Sequence, residues 1–180
     1  VATARERLPK GTTPAAVAVP LTTDDANATA APATHEPERQ VVEYCSDKNS
    51  RMGRLTPPEC AVKRYTEDSD VTSKEWHQQA ETDVKVKNTL LWGSIPCTGG
   101  CPWQTVNVRK PGGRKRLKEH RRLFNKMWNN FVEVARVCLE HGGEVAIEWP
   151  KGCSYWRLRK VKAFLKETGM MMAVFDARSI

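Results

Sequence analysis

An α/β fold, with a mostly parallel sheet and helices on both faces, is predicted for residues 41–180 by three observations. Short β-rich runs alternate with helix-like segments, and strands separated by helices pair in parallel through crossovers. One long segment carries apolar residues at three- and four-residue steps. The 180 residues, 39% of them hydrophobic, suffice for one compact domain plus a tail but not for two domains.

The elements follow in order. Residues 1–40 contain ten Ala, seven Thr and five Pro but no Trp, Tyr, Phe or Cys. Such a stretch buries too little apolar surface to offset the entropy of ordering its backbone, so it reads as a disordered or extended tail. The run Val1-Ala2-Thr3-Ala4 fits either a processed terminus or a trimmed start. Val41–Cys45 and Ala61–Tyr65 are strand candidates separated by loop chemistry at Ser46, Asp47, Asn49, Ser50, Gly53, Pro57 and Pro58. Thr72 or Ser73 caps a helix expected over 74–86. Thr89–Ile95 is a buried-type strand that stops at Pro96, before the loop Cys97-Thr98-Gly99-Gly100-Cys101-Pro102-Trp103. The clearest helix spans 114–141, with Leu117, Phe124, Met127, Trp128, Phe131, Ala135 and Cys138 on one face and Gly142-Gly143 at its end. Val145–Ile147 is a strand closed by Glu148-Trp149-Pro150, a second helix is expected over about 154–168, and Met171–Asp176 reads as one more strand.

Parallel sheets bind ligands beyond the carboxyl ends of their strands. Cys97 and Glu148 both fall there. A thiol in a Gly-rich loop after a strand suits a nucleophile, and a neighbouring carboxyl group can hold a proton on a polar heterocycle while the sulfur attacks. The bland reading is a small loop residue and a helix-capping acid. Trp103 and Trp149 either stack on a ligand or pack over the sheet end.

Charge points to a partner. The chain carries 29 Lys and Arg against 21 Asp and Glu, a net +8. Residues 1–40 have four basic and five acidic side chains, so the excess belongs to the remainder. Between 109 and 126 lie nine basic residues against Glu119 alone, among them Arg109, Lys110, Arg114, Lys115, Arg116, Lys118, Arg121 and Arg122. Such a run is either a solvated face or a surface for backbone phosphates of nucleic acid or another polyanion. No stretch approaches the ~20 apolar residues of a transmembrane helix. Six cysteines in a chain able to bury its own core suggest free thiols and an intracellular setting, nucleus or organelle. Their spacing gives no metal site, although a reversible Cys97–Cys101 disulfide is conceivable.

Ser94-Ile95-Pro96-Cys97 resembles the Pro-Cys motif of DNA cytosine-5 methyltransferases, and Ala146-Ile147-Glu148-Trp149-Pro150 resembles their next motif, a strand ending in glutamate. Glu43-Tyr44-Cys45-Ser46 lies where that family has its cofactor-binding first strand and turn. Glu67 or Asp68 lies where its ribose-binding acid falls, and Asp70-Val71-Thr72 resembles the following Asp-containing motif. The resemblance covers residues 41–176 and is to a truncated or degenerate member. It implies a Rossmann-like class I methyltransferase fold. It also implies S-adenosylmethionine as cofactor near Glu43, Cys45, Ser46, Glu67 and Asp70, a base flipped out of nucleic acid, Cys97 attacking its carbon 6, and Glu148 protonating the ring edge. An alternative function of a different class is a non-catalytic structural subunit of a large complex, such as an organellar one, anchored by residues 1–40 wrapping neighbouring subunits.

Overall fold

A computed structural model describes residues 39–174. They form a four-stranded, all-parallel sheet in the order β2-β1-β3-β4, built from β1 (Arg39–Tyr44), β2 (Cys60–Tyr65), β3 (Thr89–Gly93) and β4 (Glu144–Ile147). The helices are α1 (Met52–Leu55), α2 (Lys74–Asp83), α3 (Gln104–Asn107), α4 (Gly113–Glu140) and α5 (Arg159–Glu167). Short 3₁₀ turns stand at Thr98–Gly100 and Ser154–Arg157. The mixed α/β class with a parallel sheet is therefore as expected from the alternation of patterns. Arg39 and Gln40 belong to β1, and residues 1–38 of the expected tail lie outside the described residues.

The chain leaves β1 in one direction to make β2 and returns past β1 to make β3. Because crossovers between parallel strands are right-handed, the β1–β2 connection falls on the opposite face from the two crossovers that follow. Side-chain register agrees. Gln40, Val42, Tyr44, Tyr65, Thr89, Leu91 and Gly93 share one face, against which α2 and α4 pack through Asp83 and Phe131. Gly93 is glycine because Phe131 lies where its side chain would be, 2.7 Å from the position of a Cβ. On the other face, α1 is the only helix among the described residues, its Gly53 seated over Val62 and Arg64. Two-sided helical cover is thus expressed unequally, since only fifteen residues separate β1 from β2 and they hold one helical turn.

The core is an aromatic stack under α4. Trp128 lies with Phe124, Phe131, Trp149 and Phe164 at ring centroid separations between 5.6 and 6.0 Å. Phe124 also stacks on Tyr155 at 3.6 Å. Each buried Phe contributes about 1.5–3 kcal/mol of transfer free energy, which is why α4 is the best-defined helix in the sequence pattern. Ser73 caps α2 by accepting from the Trp76 backbone N–H, one of the two expected caps. Gly142 ends α4 in the left-handed conformation (φ 77°), with Gly142 and Gly143 donating back to the Leu139 and Cys138 carbonyls.

One expected element is corrected. Residues 171–174 form no strand; Met171 is 95% exposed, and Met172 and Val174 are exposed as well. An apolar run becomes a strand only where a partner edge aligns with it, and β4 pairs with β3 alone among the described residues. Phe175 and Asp176, the rest of that expected strand, lie outside the described residues.

Candidate functional site at the strand ends

The chain reverses direction of travel between β1 and β3, so the crevice beyond their carboxyl ends is the topological switch point where open parallel sheets accept ligands. Backbone bonds extend the sheet into that edge. Ser94 donates to the Tyr44 carbonyl (2.9 Å), Ser46 to Tyr65 (3.1 Å) and Glu148 to Gly93 (3.0 Å). The segments after β1, β3 and β4 therefore leave the sheet side by side.

Cys97 is half-buried, three residues beyond this extension, in a loop closed by the Gly100 N–H donating to its carbonyl at 2.8 Å. Gln104 Nε2 braces the loop from α3 by donating to the Thr98 carbonyl at 2.7 Å. Gly99 and Gly100 are buried because the chain presses onto Tyr155 and Cys153 with no space for a side chain. Burial pushes the Cys97 thiol above its ordinary range, and the neighbouring Cys101 and the Glu148 carboxylate add to the shift. Glu148 is exposed, and its charge reaches Cys97. All six cysteines are free thiols, Cys97 and Cys101 included.

The two tryptophans separate. Trp149 is core: it is 7% exposed, and its indole N–H donates to the Ile95 carbonyl at 2.6 Å, tying the strand-end segments together. Trp103, which opens α3, is 71% exposed.

Near the end of β1, Glu43 is buried and both its oxygens are engaged. Arg64 Nε donates to one at 2.6 Å and the Ser50 hydroxyl to the other, so its carboxylate anchors the turn from below. Cys45 takes a left-handed backbone (φ 61°), and burial pushes its thiol up to about 12. The turn Cys45–Ser50 has no glycine, and its tight conformation is carried by Cys45 instead. The hydroxyls of Ser46 and Tyr44 are buried with no hydrogen-bond partner among the described residues. An orphaned hydroxyl at the switch point fits a polar ligand atom in the crevice. Glu67 and Asp70 follow β2 on the surface. The Thr72 hydroxyl and backbone N–H both donate to Asp70 Oδ1 (2.6 and 3.0 Å) and hold its carboxyl below the usual range.

The basic run is brought to this site. Arg109 and Lys110 precede the turn into α4, whose first turns carry Arg114, Lys115, Arg116, Lys118, Arg121 and Arg122, all of them exposed. Arg114, Lys118, Arg121, Arg122 and Asn125 line one shallow groove along the helix. Arg121 Nε donates to the Gly99 carbonyl at 3.3 Å, so the basic groove and the Cys97 loop share an edge. Arg122 forms a two-pronged pair with Glu119 (2.9 and 2.6 Å) and spends part of its charge locally. Lys160 leans over the Phe124 ring, 4.9 Å from its centroid, and donates to Asn125 at 2.8 Å, so it serves packing. The sequence pattern puts the loop and the run at the same edge of the sheet. The Arg121–Gly99 contact joining them had no signal in either.

The chain matches no family model, no curated protein and no solved structure.

Proposed function

We propose that residues 41–180 form a Rossmann-like, cytosine-5 methyltransferase-like domain that binds nucleic acid. The observation that carries the reading is the shared edge: Arg121 holds the loop of Cys97, and exposed cations run outward from it. Phosphates bound along the first turns of α4 position a strand beside the loop, and exposed Trp103 offers a surface on which a displaced base stacks. The Cys97 thiol gives up its proton to solvent and its sulfur adds to carbon 6 of the cytosine; once carbon 5 carries the methyl group, that carbon loses its proton to water and the carbon–sulfur bond breaks, which restores the ring and frees the thiol. Glu148 holds a proton at the ring edge as charge develops there. S-adenosylmethionine, when bound, supplies the methyl group to carbon 5. Ser46 with its orphaned hydroxyl, the backbone of Cys45, and Glu67 or Asp70 would hold it, while Glu43 braces the turn beneath.

The test uses the full chain. Calorimetry with S-adenosylmethionine is expected to give a micromolar-class interaction, and DNA carrying a mechanism-trapping cytosine analogue is expected to form a denaturation-resistant adduct that Cys97→Ser abolishes. No heat at millimolar cofactor removes the cofactor from the reading, and equal trapping by the variant removes Cys97. The glycine-free turn after β1 favours a second reading, a non-catalytic subunit of a larger assembly; absence of both signals with nucleic-acid binding intact is its expected outcome.

A further inference from the structure

Away from the strand-end residues, α2 and α4 bring together one imidazole and two carboxylates. His77 and Glu81 stand four residues apart on α2, which puts them on one helix face, and Glu133 reaches them from α4. His77 Nε2 lies 3.4 Å from Glu81 Oε1 and 3.0 Å from Glu133 Oε2, and the three ligand atoms all fall within 4.8 Å of one another. We propose that His77, Glu81 and Glu133 form a divalent-cation site of the zinc class that clamps α2 to α4.

The spacing is compatible with a coordination shell. Metal bonds of about 2.0–2.2 Å to nitrogen and carboxylate oxygen place tetrahedral ligands about 3.3–3.6 Å apart; the 3.4 Å separation falls in that range and the 3.0 Å separation is a few tenths of an ångström short of it. A hydrogen-bonded triad accounts for the arrangement less well. Nε2 carries at most one proton, which points at one acceptor, yet two carboxylates converge on that nitrogen. Even an imidazolium leaves the cluster with net negative charge. Arg136 acts on Glu133 electrostatically but is bound in two-pronged fashion to Glu167 (2.8 and 3.0 Å). A divalent cation neutralises both carboxylates at once and takes the imidazole lone pair.

The frame holding the ligands is firm. Asn130, three residues before Glu133, donates from α4 to the Val71 carbonyl at 2.8 Å, just ahead of α2. Ala80 and Val84 seat the middle and end of α2 in the core. His77 is 15% exposed at its side chain, Glu81 32% and Glu133 60%, so the imidazole forms the floor and the carboxylates the solvent side. Three protein ligands leave a fourth position facing water. Imidazole and carboxylate donors suit zinc, manganese or iron(II) more than calcium, which prefers an all-oxygen shell.

Because six free thiols also attract soft metals, the probe is cobalt(II) chloride, whose spectrum distinguishes donors. Titration of the full chain is expected to give tetrahedral d–d absorption saturating at one ion per chain, without thiolate-to-cobalt charge transfer, and zinc chloride is expected to displace it. Glu133→Gln and Glu81→Gln, both conservative and partly or largely exposed, should each weaken binding at least about tenfold, the lower end of what loss of even an outer-shell partner costs, while far-ultraviolet circular dichroism stays unchanged. The proposal is overturned by absence of a saturable d–d band, by charge-transfer absorption that shows cysteine ligation, or by unchanged affinity in both variants.

Discussion

At Cys97 the fold raises the cost of losing a proton, through burial first and the charges of Cys101 and Glu148 second. A raised thiol pKa means the thiolate is scarcer at neutral pH than in a free thiol and grows until the medium passes the shifted value. Alkylation of the Cys97 peptide by iodoacetamide, followed by mass spectrometry, should therefore keep rising about tenfold per pH unit above the point, near pH ~8.5, where a small thiol levels off. Glu148→Gln removes one charge that holds the proton on and should move the plateau to lower pH. A Cys97 plateau below that of the small thiol would contradict the first statement, and a plateau unmoved in Glu148→Gln the second. The residue types at this edge were legible in the sequence, since Pro-Cys and Glu-Trp-Pro each follow a β-rich run. Which tryptophan faces solvent was not legible: Trp103 and Trp149 differ in whether the Ile95 carbonyl stands within reach of the indole, a fact of three dimensions.

Among the elements, β3 and α4 meet where the Phe131 ring lies over Gly93 on the covered face of the sheet described above. Gly93→Ala places a methyl group 2.7–2.8 Å from two ring carbons of a fully buried phenylalanine. Overpacking of this kind costs about 1–3 kcal/mol, to be read as a lowered urea midpoint with unchanged slope; a midpoint equal to wild type would show that Phe131 yields freely. The long amphipathic α4 and its Gly142 cap could be read from the sequence because periodicity and capping are local properties. α1, α3 and the exposed stretch Met171–Val174 could not. Four-residue helices have no period to detect, and Met171–Val174 is as apolar as a strand while no strand among the described residues pairs with it. The pairing of His77 and Glu81 was visible as a four-residue spacing on an expected helix, but Glu133 joins them only once α2 and α4 pack.

For the whole molecule the net charge of +8 matters less than its placement on the first turns of α4, against the loop after β3. Neutralising Arg114, Lys115, Arg116 and Lys118 together should flatten the dependence of log affinity on log salt by up to about 3 units, since each phosphate contact contributes roughly 0.7–0.9. Fluorescence titration with labelled single- and double-stranded oligonucleotides across a salt series measures it, and an unchanged slope returns the cluster to solvated surface. The sheet order has a consequence for how the chain comes to be folded. β1 is central yet precedes both of its neighbours in synthesis, and its parallel partners cannot be reached by hairpins. Val41 and Val42 must wait on the ribosome-emerging chain until β3 at Gly93 is free, and the aromatic cover of Trp128 and Phe131 arrives later still. Non-local pairing of this kind makes closure of the core slow and late. In that interval the nascent domain offers an unpaired apolar strand to whatever chaperone or neighbour is at hand.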